Sequence, residues 1–322
     1  MSNKQDTQQF LKLLEILAQG GNEMLPISKG KVETAKKVVI YGPEGIGKST
    51  LASKFPGPVF IDIEGSTKQL DVSRYPSPIN WTDILAEVED ALKEKPCKTL
   101  VLDTADWAEQ FCSKAVCAKL GVKGIEDVGY GKGYTYLVEE FAKLLDICTQ
   151  IVDKGMNVVF TAHAQMRKFE QPDELGSYDR WEMKMNKKTA ALLKEWADMV
   201  LFCNYKTNVI TDQNTKSKKA TGGKRIMYTT HHPCWDAKNR FGLDEELPME
   251  FAPLATLFTF VEPDHTDYRT ELRNFIQKNK LDSAAIASSC GLNAKSTNED
   301  YKKAFDFAVS VKDNKNYRKD GK

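Results

Sequence analysis

The 322-residue chain has no apolar run of membrane-spanning length, and its opening MSNKQDTQQF contains no apolar core of the kind that directs secretion. It has no Cys-x-x-Cys pair. Seven cysteines stand singly at positions 97, 112, 117, 148, 203, 234 and 290, an odd and scattered set that argues against a disulfide framework and for reduced thiols. Nor is there an excess of charge: 46 Lys and Arg against 45 Asp and Glu leave a formal net charge of +1. Binding of nucleic acid would therefore have to come from local patches. No internal repeat is visible. These absences lead us to expect a cytoplasmic protein that does not engage a membrane. A hydrophobic content of 41% describes an ordinary globular chain, long enough for one large domain with appendages or for two domains.

What is present is a phosphate-binding loop. Gly42, Pro43, Glu44, Gly45, Ile46, Gly47, Lys48 and Ser49 spell an unbroken G-x-x-x-x-G-K-S. A glycine-rich turn lets successive backbone N–H groups point at phosphate oxygens, and the following helix adds the positive end of its dipole. Lys48 can reach the β- and γ-phosphates while the Ser49 hydroxyl ligates Mg²⁺. The context agrees: Val38–Tyr41 reads as a buried strand before the loop and Ser49–Phe55 as a helix after it. These eight residues, with Thr50, are the expected nucleotide-binding set, and ATP with Mg²⁺ the expected ligand. A plain surface turn would have no need of Lys-Ser at that spot.

Further apolar runs without alternation occur at Val59–Ile63, Leu100–Leu102, Val158–Thr161 and Met199–Cys203. Such runs suit strands buried on both faces of a mostly parallel sheet, with helices expected at Trp81–Leu92, Tyr136–Lys154 and Lys188–Ala197. The expected fold is a three-layer α/β core over residues 36–262, with its ligand crevice at the carboxyl ends of the strands. Before it, Phe10, Leu13, Leu14 and Leu17 mark an amphipathic helix at 7–18, followed by a linker to residue 35. Asn208–Ile210 and Arg225–Thr230 flank TDQNTKSKKATGG and read as a β-hairpin with a basic tip. Residues 263–310 read as a small helical region, and 311–322 as a disordered basic tail.

Two carboxylates complete the expected site. Thr99–Asp103 is an apolar strand ending in Asp103, placed to hold Mg²⁺ together with Ser49 from the neighbouring strand. Val59–Gly65 carries Asp62 and Glu64 on one face, and Glu64 lies at the crevice end. Glu64 is therefore the candidate base for the attacking water, against the alternative of a solvated strand-end carboxylate.

GPEGIGKSTLASKF followed by PVFIDIEGSTKQLD resembles the RecA-type recombinase core. The resemblance implies that Glu64 activates water, that LVLDT is the Walker B strand, and that NVVFTAH closes with a γ-phosphate sensor. His163 stands where the family has Gln, with Gln165 two residues on, so either could sense the phosphate. The family's two DNA-binding loops match 119–136, with Lys123, Tyr130, Lys132 and Tyr134, and 166–188, with Arg167, Lys168, Arg180, Trp181, Lys184, Lys187 and Lys188. Cations interleaved with rings suit a single strand, the lysines tracking phosphates and the rings stacking on bases. Mobile surface loops are the alternative, since Asp173, Glu174 and Asp179 dilute the charge.

WDAKNRFG resembles the Lys-x-Arg finger of RecA-fold hexameric helicases such as DnaB. This implies that Lys238 and Arg240 reach a neighbouring subunit's γ-phosphate; an exposed turn pairing with Asp244, Glu245 and Glu246 is the alternative. The short link at Pro56-Gly57-Pro58, with GYGKGYT and DAKNRFGL, looks like phage-encoded RecA-like ATPases grouped with single-strand annealing proteins. The implied activity is a DNA-stimulated ATPase in phage recombination or annealing. Its implied partners are single-stranded DNA, further copies of the chain in a ring or filament, and single-strand binding protein. A helicase or loader motor, a P-loop kinase and a non-hydrolysing scaffold are the competing readings. His231-His232-Pro233-Cys234 reads as structural, because adjacent ligands on one strand converge poorly on a metal.

Overall fold

In the computed structural model, residues 29–170, 176–211, 218–258, 268–293, 296–312, 314 and 317–318 are described. The helix expected at 7–18 lies outside them. The chain divides into two compact units, Met1–Met249 and Glu250–Lys322; the boundary expected at 262 also falls outside the described residues.

One sheet organises the first unit. Its strands are β1 (Lys37–Gly42), β2 (Pro58–Asp62), β3 (Ser73–Arg74), β4 (Thr99–Asp103), β5 (Asn157–Glu170), β6 (Ser177–Met183), β7 (Met199–Thr211), β8 (Lys218–Tyr228), β9 (Lys238–Asn239) and β10 (Glu246–Pro248). They lie in the order β10-β8-β7-β1-β5-β4-β2-β3, with β6 paired to β5 and β9 to β7. From β7 to β3 every pairing is parallel; β6, β8, β9 and β10 add antiparallel. The fold is α/β with a mostly parallel sheet, as expected. Val38–Tyr41, Leu100–Leu102 and Val158–Phe160 are fully buried, which is why their sequences show no polar alternation.

Among the described residues, five α-helices accompany the sheet: α1 (Lys48–Ala52), α2 (Trp81–Glu94), α3 (Ala105–Leu120), α4 (Lys132–Asp153) and α5 (Lys187–Trp196). Helix α2 starts where Asn80 accepts a hydrogen bond from the Asp83 N–H, and it buries Trp81, Ile84, Val88 and Ala91, one face at helical spacing. Helix α3 is absent from the periodicity reading. Its buried face is Ala105, Ala108, Cys112, Val116 and Cys117, side chains too small to stand out as an apolar stripe.

Two strands outrun the sheet. β5 is buried from Asn157 to His163, then continues as a two-stranded ribbon with β6, Ala164 opposite Met183 through Glu170 opposite Ser177. β7 and β8 form a second ribbon, with a register shift between Lys206 and Thr207; the centre of its basic tip, 212–217, is outside the described residues.

The second unit holds α6 (Tyr268–Lys278), α7 (Ser283–Cys290) and α8 (Asn298–Ser310) around Leu272, Leu281, Ile286, Ala304 and Ala308. Asp282 caps α7 through the Ala284 and Ala285 N–H groups, and Thr297 with Asp300 forms a capping box on α8. The tail expected to be disordered is folded back at two positions. Tyr317 packs edge-on against Phe307 at 5.4 Å and accepts the Asp282 N–H through its carbonyl, and Arg318 bridges Leu281. One aromatic in an otherwise polar run supplies the anchor.

Candidate active site

The carboxyl ends of β1, β2, β4 and β5 meet at one crevice. The register sets Gly42 beside His163 and Asp62 beside Asp103. A cavity of about 380 Å³ there is lined by Glu44, Gly45, Gly47, Lys48, Ser49 and Thr50 from the loop and α1, and by Glu64, Ser66, Gln69, Leu70, Thr104 and His163. Gly42, Pro43 and Ile46 support it from behind: the Lys48 ammonium donates to the Gly42 and Pro43 carbonyls at 3.1 and 3.0 Å, and Ile46 is buried. Burial pulls the Lys48 pKa down, with Asp103, Asp106 and Glu64 pulling the other way.

Asp103 does not lie on the strand next to the loop strand; β5 comes between. It reaches across because β5 offers Thr161 at that level, whose hydroxyl donates to Asp103 Oδ1. Asp103 Oδ2 accepts from Ser49 Oγ at 2.8 Å and from Ser66 Oγ at 3.0 Å. Hydroxyl and carboxylate oxygens facing one another beside a phosphate loop are the hard donor set that suits Mg²⁺.

Glu64 stands two residues past the end of β2, in a loop rather than on the strand. Asp62, the last strand residue, builds that loop. Its Oδ1 accepts from the Gly65 and Ser66 N–H groups, and its Oδ2 from the N–H and hydroxyl of Thr67. Both the Ile63 and Glu64 N–H groups donate to the Asp103 carbonyl. Asp62 is thus a scaffold, and Glu64 is left facing the cavity with its pKa raised by burial.

His163, not Gln165, faces the cavity. Gln165 donates instead to the Met183 carbonyl on the ribbon at 3.3 Å. His163 is held by a residue that no sequence signal had singled out, Asp106, in the first turn of α3. Asp106 Oδ1 accepts the His163 backbone N–H at 3.0 Å and its Oδ2 meets Nδ1 at 2.9 Å. This leaves Nε2 3.8 Å from Glu64 Oε1. The hydrogen bond that Nδ1 makes to Asp106 raises the His163 pKa against the effect of burial. For Asp106 burial acts upward, but its bonds to His163 outweigh it and hold the carboxyl low.

The residues expected to contact DNA separate into two groups. Lys123, Tyr130, Lys132, Lys168, Lys184, Lys187 and Lys188 are exposed, although Lys184 also lies 3.7 Å from Glu44 of the loop. Tyr130 is fully solvent-facing. Arg180 and Trp181 belong elsewhere: Arg180 is buried, paired to Asp236 and set over the Phe169 ring, while Trp181 packs on Phe202. Arg167 donates to the Met185 carbonyl, and Tyr134 to Glu126.

Lys238 has a structural task in place of the expected finger. Its ammonium donates to the carbonyls of Lys194, Glu195 and Ala197, closing the carboxyl end of α5 where unsatisfied carbonyls favour a cation. Arg240 is exposed and pairs with Asp198 at 3.0 Å. His232 stacks on Trp235 at 4.0 Å.

A parallel sheet with a phosphate loop, a facing Asp and Glu, and a cavity at the strand ends define a P-loop ATPase. The chain belongs to the AAA domain family, whose model matches residues 34–241. Among solved structures it is similar to a KaiC-like protein from the hyperthermophilic archaeon Pyrococcus horikoshii OT3, at 13% identity and a TM-score of 0.32, over 64% of this chain and 96% of that one. No curated protein matches it. Among the described residues, no helix is long and apolar enough to cross a membrane.

Proposed function

We propose that the protein hydrolyses ATP with Mg²⁺ in a reaction stimulated by single-stranded DNA, and that it serves phage recombination or annealing as a ring or filament. The observation that carries the hydrolytic part is the convergence of Lys48, Ser49, Glu64 and His163 on one cavity, with Asp103 bonded to Ser49 behind it. The loop N–H groups and Lys48 bind the triphosphate. Ser49 and Asp103 would hold Mg²⁺, which when bound neutralises charge developing on the phosphate oxygens. Glu64, raised in pKa by burial, accepts a proton from water and aligns it. His163, its Nδ1 engaged by Asp106, presents Nε2 where it can meet the γ-phosphate and register its loss.

The DNA part is supported by exposed Lys123, Lys132 and Lys168 and by the solvent-facing Tyr130 ring, a combination suited to phosphates and stacked bases. The recombination setting and assembly rest on the resemblance to RecA-like proteins. Of the two finger residues, Arg240 remains available to a neighbour, because an exposed pair such as the one with Asp198 is weakly held.

The test is steady-state ATP hydrolysis with and without single-stranded DNA, beside electron microscopy. Wild type should turn over faster on DNA, Lys48→Ala should lose turnover, and a Lys123→Ala, Tyr130→Ala, Lys132→Ala triple variant should keep basal turnover while losing the stimulation. Arg240→Ala should retain nucleotide and lose turnover in the assembly. DNA-insensitive turnover by a monomer would overturn the DNA and assembly reading.

A further inference from the structure

The phosphate loop is gripped from outside by an arginine that lies beyond its own strand and helix. Arg225, on β8, donates from Nη1 to the Ile46 carbonyl at 3.2 Å. That carbonyl shares a peptide plane with the Gly47 N–H, and in a trans peptide the two groups point in opposite directions. Turning the Ile46 C=O out to Arg225 therefore turns the Gly47 N–H the other way, toward the cavity that Gly47 and Lys48 line.

Gly47 is shaped for this contact in two respects. Its φ is +106°, and a Cβ built on it would stand 2.8 Å from Arg225 Nη1. Glycine thus meets both the backbone torsion and the room the guanidinium needs. Arg225 is itself fixed by the β-ladder opposite Tyr205 and by the Met249 N–H, which donates to its carbonyl. Among the described residues no carboxylate pairs with its side chain, so no ion pair competes with the loop carbonyl for its guanidinium. A cation on a carbonyl polarises the whole peptide and makes its N–H a stronger donor to an anion.

We infer that Arg225 is a positioning residue of the nucleotide site: it orients the Ile46–Gly47 peptide and strengthens the Gly47 N–H as a donor to phosphate. The inference rests on triphosphate binding at the loop, and its test separates the two. Binding of a fluorescent ATP analogue with Mg²⁺ is titrated for wild type, Lys48→Ala, Arg225→Ala and Arg225→Lys, and the nucleotide-free thermal midpoint of each is recorded. Arg225→Ala should bind about tenfold more weakly, the scale of one charge-assisted hydrogen bond. Its nucleotide-free midpoint should stay near that of wild type. Arg225→Lys should recover part of the loss, and added guanidinium ion at low millimolar concentration should rescue Arg225→Ala but not Lys48→Ala. Equal affinity for wild type and Arg225→Ala overturns the inference, as does a loss matched by a fall in the nucleotide-free midpoint. Equal affinity for wild type and Lys48→Ala would instead overturn nucleotide binding at the loop.

Discussion

Glu64 and Asp62 are two residues apart and carry the same functional group, yet the structure gives them opposite duties. Asp62 spends its carboxylate on three backbone N–H groups and a hydroxyl, so it has no capacity left for chemistry. Glu64 has no such bonds and faces the cavity with Lys48 and His163. Glu64→Gln should therefore leave nucleotide affinity close to that of wild type and lower turnover by roughly 10²–10⁴-fold, the range for removing a general base. Pre-steady-state hydrolysis beside equilibrium binding would check this, and comparable losses in both would place Glu64 in binding instead. Strand alternation drew attention to both carboxylates, although Glu64 stands past the end of β2 in a loop that Asp62 holds. No pattern did so for Asp106, because an Asp in the first turn of a helix looks like any favourable partner of the helix dipole, and its contact with His163 spans 57 positions of sequence.

The elements that sequence patterning found are those buried on both faces or amphipathic with large side chains: β1, β2, β4, the buried parts of β5 and β7, and α2, α4 and α5. It overlooked α3, whose buried apolar face is alanine and cysteine with a single valine, and β9, whose two residues exist only by pairing with β7. Arg180 and Trp181 misled for a related reason. Cations and rings on a ribbon have the same composition whether they meet a ligand or each other, and here Asp236, Phe169 and Phe202 claim them. One element carries a readable pH dependence. Glu87 on α2 has an Oε2 without a hydrogen-bond partner, and burial followed by repulsion from Asp83, one turn earlier, pushes its pKa up to about 7. A folded pKa raised above the unfolded one means that this group's contribution to stability is fully present below about 4.5 and is lost as pH rises toward about 7. Glu87→Gln should flatten that loss, gaining on the order of 1 kcal/mol over wild type at pH 8 after allowance for solvent screening of a half-buried group. Urea denaturation at pH 4.5 and 8 would measure it. A stability difference from wild type that is the same at both pH values would rule the effect out.

At the scale of the molecule, two units each have a hydrophobic cluster of their own, and the phosphate loop belongs to the first. A ligand stabilises only what must unfold to release it. Calorimetry should therefore resolve a transition that rises with Mg²⁺-ATP analogue, by about 2.7 kcal/mol at a hundredfold excess over Kd, and a second from residues 250–322 that does not move. A single transition that shifts as a whole would mean that the units melt together. The family match stops at residue 241, before α6, α7 and α8, which lie in the stretch read from the sequence as a small helical region.

The ribbons that leave the sheet have a consequence of another kind. Past the core, Ala164–Glu170 on β5 and Asn204–Thr211 on β7 each have one strand partner among the described residues, so each offers a free row of N–H and C=O groups on its other side. Such rows are templates on which copies of a chain can stitch themselves into insoluble sheets. Arg167 and Lys168 on one ribbon, and Lys206 and Lys224 on the other, put like charge along those borders and make the stitching unfavourable.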